Sequence, residues 1–298
     1  MNTIDLHVHS TVSDGTLTPT EIAQLAEKTG LSAFALTDHD SVAGNTEAGK
    51  AAAACGLGFI PGMELTTEYN DRKLHVVCLG FDADHPAFRQ LYHKVRAIKE
   101  AAIPEIIAFV RRRGIRDISE EAVKPFAGGR PIDRYAIMRY LVSLNLYDHA
   151  QPLWDNYLDP ATRALGVNIS ITAEEAFPLI HRAGGITSLA HFHKKIGLKG
   201  CSRAEQEQII LRLHALGLDG MEISYPTYTS DDAAFAAAMI RKYKLIATGG
   251  TDFHGSNRPD TALGTGIDGN MHVPYELFEK ICPLCRKKYT PGRKHCKG

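Results

Sequence analysis

Short apolar runs alternate with amphipathic stretches from the first residues onward. Residues 4–6 read as a brief strand, and Thr18-Pro19-Thr20-Glu21 reads as a helix start. Thr18 can cap, Pro19 suits the first turn and Glu21 completes a capping box. Ile22, Leu25 and Ala26 give that helix an apolar face, and Gly30 closes it. Residues 33–36, 46–55 and 59–63 follow as strand, helix and strand. The resulting βαβαβ order favours a parallel sheet with right-handed crossovers. Asn70-Asp71 separates two β-prone stretches and predicts a hairpin returning through residues 74–79.

The rhythm then changes. Residues 86–169 carry helical patterns over 88–113 and 134–144, a basic cluster Arg111-Arg112-Arg113 and irregular Pro- and Gly-containing stretches. Afterwards βα order resumes. Thr172 opens a helix through residue 183, and 186–190 is a strand. Ser202 and Glu205 form a second capping box, leading to a helix ending near residue 216 and a strand at 221–223. Ser230-Asp231-Asp232 starts the next helix, and 245–248 is the last strand. The expected organisation is a discontinuous α/β barrel from 1–85 and 170–275, a helical insertion at 86–169 covering its mouth, and a basic, Cys-containing tail at 276–298.

Composition narrows the function. The 298 residues are 44% hydrophobic and 23% charged with zero formal net charge, so no global basic field grips long nucleic acid. No run of roughly 18 apolar residues predicts a membrane span, and residues 1–10 lack the pattern of a signal peptide. The expectation is a cytoplasmic protein, and no protein partner is suggested. Histidine is the anomaly: 14 residues, against 11 Phe, 11 Tyr and one Trp. Cys55, Cys78 and Cys201 sit singly among apolar or small residues and read as reduced, packed thiols.

These histidines, with acidic residues, fall where strands end. His7 and His9 follow the first strand, Asp38 and His39 the second, Glu64 the third, His191 the fourth parallel one, and Asp252 and His254 the last. In a parallel barrel such positions converge on one mouth. Each histidine alone is more often structural than a ligand, but their joint placement points to a metal site. In His7-Val8-His9 both imidazoles project to one side of an extended segment. Imidazole with carboxylate suits Zn, Mn or Fe, and the number of donors implies more than one ion. A Gly-rich phosphate loop and a Ser nucleophile elbow are both missing.

The motifs have a family likeness. His7-x-His9 with Ser13-Asp14-Gly15, Thr37-Asp38-His39-Asp40, Gly62-x-Glu64, His75-x-x-x-Leu79-Gly80, Leu189-Ala190-His191 and Asp252-Phe253-His254 resemble the signature of the polymerase and histidinol phosphatase (PHP) family. Within it, the chain is most similar to bacterial phosphoesterases acting on the 3′-phosphate of nucleoside 3′,5′-bisphosphates or on short 5′-phosphorylated RNA. The resemblance implies a distorted (β/α)7 barrel with a helical insertion and two to three divalent ions. His7, His9, Glu64 and Asp252 would hold the first ion. Glu64 would bridge to a second completed by His75 and His191, and Asp14, His39 and His254 would hold the third. A hydroxide bridging two ions would attack phosphorus, with Glu64 and Asp14 candidate catalytic side chains; His193 is a candidate general acid because it neighbours His191. A histidinol-phosphate phosphatase and a non-catalytic PHP module are the alternatives.

Departures from the family's pattern touch the substrate side. Ala190-His191-Phe192-His193 lacks the usual Pro, Tyr225-Pro226-Thr227-Tyr228 ends in Tyr rather than His, and Arg130-Pro131-Ile132 lacks its His. Lys194 and Lys195 follow His191 in a βα loop, and Arg130, Arg134 and Arg139 belong to the insertion. These five are the expected clamp for a second phosphate, because guanidinium groups bind phosphate through paired hydrogen bonds. In the tail, Cys282, Cys285, His295 and Cys296 resemble half of a zinc ribbon among basic residues. Zinc binding, a disordered basic tail and an RNA-binding aid remain open there.

Overall fold

The computed structural model describes residues 2–147, 151–164 and 170–285. Its eight strands are β1 (Thr3–Asp5), β2 (Leu31–Leu36), β3 (Gly58–Tyr69), β4 (Arg72–Leu79), β5 (Ile171–Thr172), β6 (Ile186–Leu189), β7 (Gly220–Ser224) and β8 (Ile246–Gly249). The main sheet runs β1-β2-β3-β4-β6-β7-β8. It is parallel except where β4 pairs antiparallel with β3 and with β6. The fold is the expected distorted α/β barrel, with one qualification: no ladder closes β8 onto β1. The seam is spanned by the Leu6 N–H on Gly249 O at 3.2 Å, and past the strand ends by the His9 N–H on Phe253 O at 2.9 Å.

Local chemistry explains most boundaries. Both expected capping boxes form, at Thr18 with Glu21 and at Ser202 with Glu205. The helix Ser230–Tyr243 is capped one residue earlier than expected, by Thr229, whose hydroxyl accepts the Asp232 N–H while Asp232 returns the bond. Thr172 holds the cap position of the helix Ala173–Arg182, but its side chain makes no capping bond. At the hairpin, Asn70 and Asp71 both adopt positive φ, 49° and 58°, the pair of left-handed residues that a two-residue primed turn requires.

The third strand is much longer than residues 59–63. It pairs with β2 only through Pro61, then continues against β4 from Gly62 to Tyr69. Glu64 therefore lies within a strand, not after one, and is fixed by neighbours on both sides.

The described residues fall into two compact units, one reaching to Tyr92 and resuming at Thr172, the other His93–Ile171. The second unit is helical, with Ile106, Val110, Ile118, Val123, Ile137, Leu141 and Leu158 in its own core. The expected tail begins too early: the helix Tyr275–Ile281 buries Phe278 and Ile281 in the barrel core, and Cys285 joins them at 5% exposure. An apolar face at Phe278, Ile281 and Cys285 explains why this segment packs. Burial pushes the Cys282 and Cys285 thiols up to about 11 and about 12, so neither is a ready thiolate. His295 and Cys296 lie outside the described residues. No helix among the described residues is long and apolar enough to cross a membrane.

Candidate metal centre

The first unit gathers eight candidate ligand side chains around the Glu64 carboxylate. Glu64 Oε1 lies 2.9 Å from His75 Nδ1 and 2.8 Å from His191 Nε2. Its Oε2 lies 3.2 Å from His7 Nε2, 3.1 Å from His9 Nε2 and 3.0 Å from His39 Nδ1. Asp252 Oδ1 meets the same His7 and His9 nitrogens at 3.4 and 3.1 Å. Asp14 Oδ1 stands 3.3 Å from His254 Nε2, and its Oδ2 stands 3.8 Å from His39 Nε2.

Three donor groups, each with its ligand atoms within 4.8 Å of one another, emerge from this packing. They are His7, His9, Glu64 and Asp252; His9, Asp14, His39 and His254; and His39, Glu64 and His75. The first matches the set that the family resemblance implies. In the others, His9 and His39 lie close enough to two groups to serve either, and His191 reaches the cluster through Glu64.

The donor chemistry fits metal ions. His7 Nε2, His9 Nε2, Glu64 Oε2, Asp252 Oδ1, Asp14 Oδ1 and His254 Nε2 are buried and have no hydrogen-bond partner among the described residues. Buried polar atoms are almost always paired, and six convergent exceptions call for a cation to satisfy them. Burial would raise Glu64, but the imidazoles around it hold it well below the usual carboxylate range. Burial drives His191 down to about 3 and lowers His254, leaving both neutral, as ligands must be.

The supporting residues are as specific as the donors. Glu222, on β7, pairs its Oε1 with His7 Nδ1 at 2.8 Å and accepts the His191 N–H on Oε2 at 2.6 Å. Asp38 accepts from the Ser10 N–H and from the Ser10 and Ser13 hydroxyls at 2.7–2.8 Å, tying down the loop that carries Asp14. Asp40 accepts the Thr66 N–H and hydroxyl, both at 2.8 Å. Asp38 and Asp40 are thus braces around His39. Asp40, His191 and Asp252 all have positive φ (49°, 23° and 53°). Such backbone costs about 1–3 kcal/mol per residue and persists where the surroundings hold it.

The remaining expected site residues divide. Lys194 reaches the cluster, with Nζ 3.5 Å from Asp252 Oδ2. Lys195 is exposed. His193 pairs its Nε2 with Thr227 Oγ1 at 2.8 Å and packs against Tyr225 and Tyr228. Arg130, Arg134 and Arg139 belong to the second unit. There Arg134 lies 5.2 Å over the Trp154 ring and 3.8 Å from Asp159, and Arg139 Nε donates to Phe126 O at 2.9 Å. Sequence reasoning passed over Glu222 and Arg258. Glu222 lies in the middle of the expected strand 221–223, so the strand-end rule that found the histidines passes over it.

Comparison with known proteins agrees with this architecture. The PHP domain family matches residues 5–159. A 5′-3′ exoribonuclease of Haemophilus influenzae is 33% identical over 84% of this chain and 89% of its own. A 3′,5′-nucleoside bisphosphate phosphatase of Chromobacterium violaceum is 31% identical over 96% of this chain and 95% of its own. A crystal structure of a metal-dependent phosphoesterase candidate from Bifidobacterium adolescentis superposes with a TM-score of 0.81 at 24% identity, covering 96% and 97% of the two chains, and shares the fold. The chain belongs to the PHP domain family and is a metal-dependent phosphoesterase, a hydrolase of phosphoric esters.

Proposed function

We propose that the protein removes the 3′-phosphate of nucleoside 3′,5′-bisphosphates, with short 5′-phosphorylated oligoribonucleotides as the related substrate class. The observation that carries this reading is the Glu64 carboxylate, set 2.8–3.2 Å from five imidazoles. A lone carboxylate cannot serve five rings by hydrogen bonding, but it can bridge two cations and offset their repulsion. Two to three Mn, Fe or Zn ions would sit there. His7, His9, Glu64 and Asp252 would hold one, Glu64 with His75 and His191 a second, and Asp14, His39 and His254 a third. When bound, such ions acidify water and neutralise charge on a phosphoryl group.

The protein's own task is orientation. Neutral His191 and His254 present their lone pairs, Glu222 fixes His7, and the Asp38 brace holds Asp14 at the edge of the cluster. His193 is assigned the proton that the leaving oxygen needs, so its loss should weigh most on poor leaving groups. The substrate choice draws support from the two relatives named above, one a bisphosphate phosphatase and one an exoribonuclease.

A kinetic panel with manganese present tests the choice. It should compare 3′,5′-phosphoadenosine, a nucleoside 5′-monophosphate, a 5′-phosphorylated trinucleotide and histidinol phosphate. The reading predicts the highest kcat/KM on the first or third. Preference for histidinol phosphate would overturn it.

A further inference from the structure

The two oxygens of Asp252 face different surroundings. Oδ1 is turned to His7 and His9 and has no hydrogen-bond partner among the described residues. Oδ2 accepts the Tyr225 hydroxyl at 2.7 Å and the Arg258 guanidinium, and lies 3.5 Å from Lys194 Nζ. Lys194 also donates to the Tyr225 hydroxyl and sits 4.6 Å over its ring. One hydroxyl and one cation would satisfy a single carboxylate oxygen, so two cations exceed what Asp252 needs.

Neither cation is sealed in. The Arg258 side chain is 37% exposed and that of Lys194 is 33% exposed, against 2% for Asp252. Every hydrogen bond that Arg258 donates from its side chain comes from Nη1, to Asp252 Oδ2, to Asp252 O at 3.2 Å and to Tyr225 at 3.5 Å. Nε and Nη2 bond nothing among the described residues. The segment that presents them is anchored to the loop that carries Asp14. Asn257 Nδ2 donates to Asp14 O at 2.6 Å, and the Ser256 N–H donates to Thr16 Oγ1 at 2.9 Å.

We propose that Arg258, together with Lys194, binds the non-bridging oxygens of the phosphoryl group presented to the metal centre. Nε and Nη2 of Arg258 supply the paired donors, while Nη1 stays on Asp252. The proposal rests on the phosphatase reading above and moves Lys194 from the outer phosphate to the reacting one. A phosphoryl group carries its charge on three equatorial oxygens, and fixed cations beside it are the expected protein contribution. The same guanidinium couples ligand geometry to substrate, since the group that would hold phosphate also holds Asp252.

Manganese-loaded protein with inorganic phosphate as the probe tests it. Arg258→Met and Lys194→Met should each weaken phosphate binding at least tenfold per manganese-loaded chain in calorimetry, and Arg258→Lys should recover part of the loss. Loss of manganese in Arg258→Met with unchanged phosphate affinity per loaded chain would overturn the pair, leaving Arg258 a brace for Asp252. Should Arg258→Met fail to fold, Lys194→Met decides alone, and wild-type phosphate affinity in it would also overturn the proposal. Wild-type protein that binds phosphate through these residues but hydrolyses no phosphate monoester would sustain the pair and sink the phosphatase reading instead.

Discussion

Glu222 Oε1 lies 2.8 Å from His7 Nδ1, which commits that ring to presenting Nε2 to Glu64 and Asp252. A carboxylate behind a metal-ligating imidazole fixes its tautomer and raises its basicity. The other Glu222 oxygen pins the backbone of His191, whose φ is +23°. Glu222→Ala should therefore weaken metal affinity ten- to a hundredfold, as removal of such outer partners typically does. Titration with manganese followed by calorimetry measures it. Wild-type affinity in the variant would show that His7 needs no such support.

The pH dependence of the metal-free protein should reveal the same cluster. Burial disfavours a charged His9, but Asp252 and Glu64 outweigh it and push its value up from 6.5 to about 9. His7 moves in the same direction for the same reason. Protonation of these rings stabilises the metal-free fold below about 6.5, and that contribution is lost as pH rises through about 9. Metal takes the place of the protons, so its binding releases them and strengthens with pH. Melting temperatures with and without manganese between those two pH values should diverge. A constant gap would contradict the pairing.

Gly250 is a second structural test. A Cβ there would overlap the backbone nitrogen and Cβ of His7 and crowd Asp5 Oδ1. The close approach is built in: Asp5 accepts the N–H groups of His7, Thr251 and Gly264 at 3.2, 3.0 and 2.9 Å, stitching the open seam of the barrel. Gly250→Ala should cost about 1–3 kcal/mol by overpacking and lower metal occupancy by displacing His7. Denaturant unfolding and elemental analysis read the two effects. Unchanged stability would mean that the seam can open at no cost.

Much of this was legible in the chain because strand ends advertise themselves. Asp or His after residues 4–6, 33–36 and 245–248 could be read without coordinates, as could the capping boxes at Thr18 and Ser202. Pairing was harder. The length of β3 depends on β4 extending its partner, so Glu64 was expected past a strand end and lies within one. The sharing of His9 and His39 between donor groups depends on three-dimensional packing that no spacing encodes. Arg258 follows a short 3-10 turn without periodicity, and its contact with Asp252 is made only in the folded chain. Phe278 and Ile281 were overlooked because the basic residues that follow drew the segment into a tail.

The central claim is that Glu64 bridges a multinuclear metal centre, and metal content measured beside turnover tests it most directly. Elemental analysis of protein expressed in metal-rich medium should find between two and three Mn, Fe or Zn ions per chain. Glu64→Gln keeps the shape but removes the bridging charge, so it should deplete metal and abolish hydrolysis of phosphate esters together. Fewer than one tightly held ion in the wild type, or full metal content and turnover in Glu64→Gln, would contradict the account.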